Sequence, residues 1–293
     1  MSPRRHGYLR LPDGWERVSS DGPGPFVTSE LLRDPDGHLV RWRSRSHRKD
    51  RAGRAHGVWW RPDSAAWWMG VLFALGSTCF AVAAIVSQWA SVPRPGIGIT
   101  YFVGSIFFTV AAYLQFGETV NVERVPRRDG AAGRSSWRPA SWEPRRIDWL
   151  ASAIQLAGTL FFNVSTFQGM KTGLDARQSN LRVWAPDAVG SVCFLLASTL
   201  AYAEVCHRWI CVKRRALSWW IVALNLVGSV AFGVSAVTSL VEPSTSEPVS
   251  AAIANAGTAI GALCFLAGAI LLLQESAPRA APASALPEPQ AVR

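Results

Sequence analysis

Six long stretches of this chain contain no Asp, Lys, Arg or His: Trp67–Ala90, Gly98–Gly117, Trp149–Met170, Ala188–Ala203, Leu217–Leu240 and Val249–Leu273. A run of about 18 or more mostly apolar residues is long enough to cross a bilayer as a helix. A soluble helix of that length would carry a charged solvent face. The expected fold class is therefore an all-α membrane protein with six transmembrane helices. Ala188–Ala203 is the shortest run, bracketed by Asp187 and Glu204. The first run begins too late in the chain to be the apolar core of a signal peptide, so the first span is expected to act as the insertion signal.

The basic residues divide unevenly between the two sides that six spans create. Of 30 Lys and Arg, 26 fall in the N-terminal segment, the loops after the second and fourth runs, and the tail. The rest, Arg94, Lys171, Arg177 and Arg182, fall in the alternate loops. Basic short loops stay in the cytoplasm. The reading is a multi-pass protein of the cell inner (plasma) membrane with both termini cytoplasmic. The net charge of +10 then needs no nucleic acid. Its expected partners are the lipid bilayer and anionic headgroups, at roughly 1 kcal/mol per Lys or Arg near the surface. Arg41–Arg54 is the densest basic stretch. No protein partner is specified, and a homo-oligomer is compatible with the pattern. Cys79, Cys193 and Cys264 lie inside runs, and Cys206 and Cys211 at the end of the fourth; reduced thiols are the expected state.

A motif recurs once per run: Gly, a small residue, and Phe four after the Gly. It reads Gly76-Ser77 with Phe80, Gly104-Ser105 with Phe108, Gly158-Thr159 with Phe162, Gly190-Ser191 with Phe194, Gly228-Ser229 with Phe232, and Gly261-Ala262 with Phe265. Even runs place a Glu fourteen residues after the Gly, at Glu118, Glu204 and Glu275; odd runs open on Trp behind arginine. The repeating unit is thus a two-helix hairpin, and three tandem copies imply a pseudo-threefold axis near the membrane normal. Residues 1–66 form a basic cytoplasmic segment, where Asp34-Pro35-Asp36-Gly37 marks a turn between Phe26–Leu32 and His38–Trp42 and predicts a small β-hairpin. Hairpin repeats occupy 67–118, 148–204 and 217–275, basic loops 119–147 and 205–216, and a Pro/Ala-rich tail expected to be disordered 276–293. The motif serves packing: Gly thins a helix face, the hydroxyl bonds back to its own helix, and Phe fills the neighbour's groove.

Gly70-Val-Leu-Phe-Ala-Leu-Gly76-Ser77-Thr-Cys-Phe80, with Phe102-Val-Gly104-Ser105 in the next run, resembles the YrhK-like membrane domain, a small hairpin domain of bacterial proteins. The resemblance is best over Trp67–Glu118, recurs more weakly over the other hairpins, and leaves out both ends of the chain. The family implies no activity and no catalytic residues.

Chemistry-bearing residues are few. Fourteen residues along a helix return to within about 40° of the starting face, about 21 Å farther on. Glu118, Glu204 and Glu275 therefore converge at the cytoplasmic mouth if the Gly faces point inward, and a carboxylate ring attracts cations. The bland reading pairs each Glu with loop arginines such as Arg208 or Arg279. Gln155, Asn163 and Asn225 are either interhelical hydrogen-bonding groups or the lining of a polar pathway. Cys79, Cys193 and Cys264, and the partial set Cys206-His207 with Cys211, fall short of a recognised metal site. Pro186-Asp187 reads as helix-start chemistry. No nucleotide, zinc-protease or hydrolase motif is present. No catalytic residue, metal or cofactor is expected. The leading expectation is a non-enzymatic membrane scaffold or envelope-associated component. The alternative is a passive small-molecule or cation channel or transporter with the carboxylate ring at its mouth. A continuous polar cavity would favour the alternative, and a dry, Phe-filled axis the scaffold.

Overall fold

The structure is a computed structural model, and it describes residues 9–49, 60, 62–88, 94–122 and 138–275. Arg51, Arg54, Arg61, Arg124, Arg127, Arg128, Arg134, Arg279, Arg293 and the tail lie outside the described residues.

Strands β1 (Glu16–Asp21), β2 (Ser29–Arg33) and β3 (Leu39–Arg43) form one antiparallel sheet in that order. The β2–β3 turn arises from local chemistry. Asp34 Oδ1 accepts from the backbone N–H of Asp36 at 3.0 Å and of His38 at 2.8 Å. Gly37 takes a φ of 88°, which a side chain would resist. The sheet goes beyond the expected hairpin because β1 pairs with β2, with an irregularity between Arg17 and Ser19. Leu9, Val27, Leu32 and Trp42 make its small core.

The chain then passes through the short helix α1 (Ser44–Lys49) into the bundle: α2 (Ala65–Val86), α3 (Arg94–Val120), α4 (Ile147–Gly169), α5 (Ala176–Ser179), a π turn (Asn180–Trp184), α6 (Ala185–Cys206), α7 (Leu217–Thr238) and α8 (Ala251–Glu275). Six helices are long and apolar enough to cross a membrane, with Ala176–Cys206 counted as one. Each packs on its neighbours in chain order, and α8 packs back on α2, so the six close a ring. Exposed apolar side chains such as Leu75, Val82, Val110, Leu160, Val192, Val234 and Leu263 cover its outside, as a lipid-facing surface requires.

The fourth span is longer than Ala188–Ala203. Pro186 lacks the N–H that would bond to the Arg182 carbonyl, and the preceding turn widens into a π turn instead of ending the helix. Ser165 Oγ donates to the Val183 carbonyl at 2.9 Å, and Trp184 Nε1 donates to Ala236 O at 2.8 Å. Pro186-Asp187 therefore lies within a continuous helix and does not start one. Asp187, with Arg177 and Arg182, falls within the candidate span.

The glycines of the motif meet in pairs. A Cβ on Gly76 would lie 2.9 Å from the Phe108 ring and 3.0 Å from Gly104 O; one on Gly104 would lie 2.9 Å from the Phe80 ring and 3.1 Å from Gly76 O. Gly158 and Gly190 meet in the same way against Phe194 and Phe162, as do Gly228 and Gly261 against Phe265 and Phe232. Ser105, Thr159 and Ser229 bond back to carbonyls of their own helices. The Phe rings converge on the axis in two layers. Phe80, Phe162 and Phe232 form one triangle, centroids 6.1–6.5 Å apart. Phe108, Phe194 and Phe265 form another, at 5.7–6.2 Å. The edges Phe80–Phe108 at 5.6 Å, Phe162–Phe194 at 5.0 Å and Phe232–Phe265 at 5.4 Å join the triangles.

Candidate functional site

At the sheet end of the bundle, the ring encloses a cavity of about 80 Å³. Its floor includes Phe194 and Phe265, and its walls include Gln115, Gln155, Asn225, Ser198 and Ser229. Its mouth is built from Glu118, Asp148 and Glu204 with Arg45 and Arg48.

The arginines come from α1, which follows β3 without a break and places Arg45 and Arg48 at the mouth. Arg48 makes a two-pronged bond to Glu204, NH1 to Oε1 at 2.7 Å and NH2 to Oε2 at 2.9 Å. Its NH1 also reaches Asp148 Oδ2 at 2.7 Å. Ser44 Oγ donates to Glu204 Oε1 at 2.5 Å. Arg45 grips Glu275 with NH2 to Oε2 at 2.8 Å and Nε to Oε1 at 3.3 Å. Arg146 completes the cluster, bonding Asp148 through Nε at 3.1 Å and NH2 at 2.7 Å, the Thr119 carbonyl at 3.0 Å, and Glu143. Arg48 and Arg146 are 8% exposed, Asp148 3% and Glu204 2%. Charges this deep persist only when paired and hydrogen-bonded.

Glu118, Glu204, Gln155 and Asn225 thus share one cavity, and Glu275 joins its rim through Arg45. Gln115 Nε2 donates to Gln155 Oε1 at 3.3 Å. Asn163 is not among the lining residues: its Nδ2 donates to Thr109 Oγ1 on α3 at 2.9 Å. Glu204 and Glu275 pair with the N-terminal Arg48 and Arg45, where loop arginines were the bland expectation. Asp148, Arg146, Arg45 and Arg48 were missed. Asp148 stands between Arg146 and the Trp149 anchor at a helix start, a charge inside an interfacial anchor, and that was its available signal. Tyr101 packs on Phe80 at 5.3 Å, and Asp187 is close enough to Tyr101 to interact with it electrostatically.

The cysteine expectation needs correction. Cys206 and Cys211 form a disulfide with Cα atoms 5.5 Å apart. His207 adopts a left-handed φ of 58° and reverses the chain after α6, which brings the two sulfurs together. Tyr202 Oη and Trp219 Nε1 both donate to the Cys211 carbonyl. His207 Nδ1 lies 2.9 Å from Thr28 Oγ1, joining the sheet to the bundle. Burial, together with the cations Lys213 and Arg43, pushes the His207 pKa down to about 4. These groups are already engaged, so the partial metal set is spent. Cys79 and Cys193 face Gly104 and Gly158 at helix contacts and do not meet on the axis. Among the described residues, the only cluster of three possible metal ligands is Asp34, Asp36 and His38 in the β2–β3 turn.

No family model matches the chain, and neither the curated proteins nor the solved structures include a significant match to it.

Proposed function

We propose that this protein is a non-enzymatic scaffold of the inner (plasma) membrane, in which a six-span bundle holds a small sheet module at the cytoplasmic face. One observation carries the reading: the polar cavity ends on two stacked triangles of phenylalanine rings, so the axis is closed in its middle. Arg45 and Arg48 line the cavity's mouth. The same triangles support three hairpins of the Trp67–Glu118 type about a pseudo-threefold axis; kinship of the first with the YrhK-like domain is proposed on its sequence motif alone.

Topology rests on the basic residues. The Cys206–Cys211 disulfide pulls the other way, because disulfides persist in oxidising compartments. We give the arginine distribution more weight, since 26 of 30 basic residues lie on one side. Alkylation should label Cys206 and Cys211 only after reduction.

A closed cation conduit is the second reading, favoured by the amides Gln155 and Asn225 and the carboxylates above the Phe floor. Flux from proteoliposomes separates the two. The scaffold predicts background leakage of monovalent cations, unchanged by the triple change of Glu118, Glu204 and Glu275 to Gln. Flux well above empty vesicles, lost in that triple variant, would overturn it.

A further inference from the structure

The mouth of the axial cavity holds a complete cation-recognition geometry whose present occupant belongs to the chain itself. A guanidinium is a planar fork, and a carboxylate that meets it with both oxygens selects it over a point charge such as an ammonium. Glu204 does this at 2.7 and 2.9 Å, and Asp148 adds a second anionic contact at 2.7 Å. Ser44 orients the Glu204 oxygen that also serves Arg48 NH1. Arg146 fixes Asp148 from behind with two bonds. Asp148 is therefore held by a group that does not travel with Arg48, whereas Ser44 shares the helix of Arg48 and holds Glu204 only while that helix is docked or when Arg48 alone is truncated. The cavity of about 80 Å³ beside Arg48, with Gln115, Gln155 and Asn225 in its walls, has room for several water molecules or a small polar group.

The occupant is carried on a helix of six residues, Ser44–Lys49, at the end of the sheet module. The module also meets the bundle at the Thr28–His207 bond and where Gly24 lies near Trp209. We propose that this vestibule is a binding site for small guanidinium-bearing cations, and that Arg48 is a tethered pseudo-ligand that masks it. The proposal is independent of whether the axis conducts. A tethered group competes at an effective concentration in the millimolar range for a short flexible link. Free ligand must therefore exceed that concentration to enter the wild-type site and far less to enter an emptied one.

The test uses the full chain in lipid nanodiscs, with methylguanidinium as the probe and methylammonium as the control. In Arg48→Ala, methylguanidinium should raise the thermal midpoint saturably, at concentrations at least about tenfold below any effect on wild type. Methylammonium should do markedly less, and adding Glu204→Gln should abolish the response. No saturable response in Arg48→Ala, or an equal response with Glu204→Gln, overturns the proposal. If Arg48→Ala does not fold, Arg48→Lys keeps the charge and loses the fork. In that variant methylguanidinium should speed amide exchange of residues 39–49 at concentrations that leave wild type unchanged. Unchanged exchange there overturns the proposal equally.

Discussion

The middle of the bundle and its sheet end are held together by different physics. In the middle, contacts are made by glycine, small residues and phenylalanine, each placed by its own helix; the glycines meet the next helix in the chain, and the phenylalanines also meet one another across the axis. At the sheet end, the contacts between α1 and the bundle are buried ion pairs between residues 100 to 230 positions apart. Close packing between apolar helices tolerates a lost methyl gradually. A buried charge cluster fails abruptly when one member is removed, because the remaining charge is left in a poor solvent. The difference suggests a robust membrane frame and a sheet module attached to it by one energetically brittle joint.

The largest test of that contrast is Arg48→Ala. It leaves Glu204 and Asp148 without their shared cation and should cost about 3–5 kcal/mol in reversible unfolding. A cost below about 1 kcal/mol, the range of exposed ion pairs, would remove the brittle joint from the picture. Next comes Gly104→Ala, whose new Cβ would lie 2.8 Å from Cys79 and 3.1 Å from the Gly76 carbonyl. Overpacking of this kind costs about 1–3 kcal/mol. A neutral result would mean the glycines are not needed for the close approach of α2 and α3.

A smaller effect should appear with pH at the junction. His207 has its pKa lowered to about 4, below the ordinary value of about 6.5. The unfolded chain therefore takes up a proton first as pH falls. Stability from the neutral ring is present above about pH 6.5 and is lost progressively toward pH 4. Solvent screening of this partly exposed ring reduces the size of the loss. His207→Gln should flatten that part of a stability–pH profile, and an unaltered slope would show that the histidine does not titrate into it. The smallest effect is the control Gly233→Ala. Nothing lies within 4 Å of the new Cβ, and the helix propensity of Ala over Gly makes the change neutral or stabilising by up to about 1 kcal/mol. Clear destabilisation there would erase the distinction between glycines that pack and glycines that do not.

Legibility followed the same division. Phe80, Phe108 and their counterparts were readable because a helix places residue i+4 beside residue i, and a lipid environment leaves close packing as the main force between helices. Glu118 and Glu204 line one cavity, and Glu275 reaches its rim through Arg45. The arginine partners of Glu204 and Glu275 were not readable. Arg45 and Arg48 stood within a run of basic residues whose average property, adhesion to headgroups, concealed the individual roles. The π turn at Asn180–Trp184 was missed because Pro186-Asp187 carries the signature of a helix start, and the Val183 carbonyl finds a partner in Ser165 on α4.

Periodicity and the absence of charge were enough, on the sequence alone, to determine six apolar helices and the face on which each carries its glycine and phenylalanine. Both are local properties of a helix in an apolar solvent. The tertiary structure alone decided that α1 places Arg45 and Arg48 at the mouth of the bundle, that Arg48 is shared by Glu204 and Asp148, that Cys206 meets Cys211, and that the axis changes from polar to apolar at Phe194 and Phe265. Those outcomes depend on which surfaces the closed ring brings together, and a charged side chain inside it is stable only beside the partner that the ring supplies.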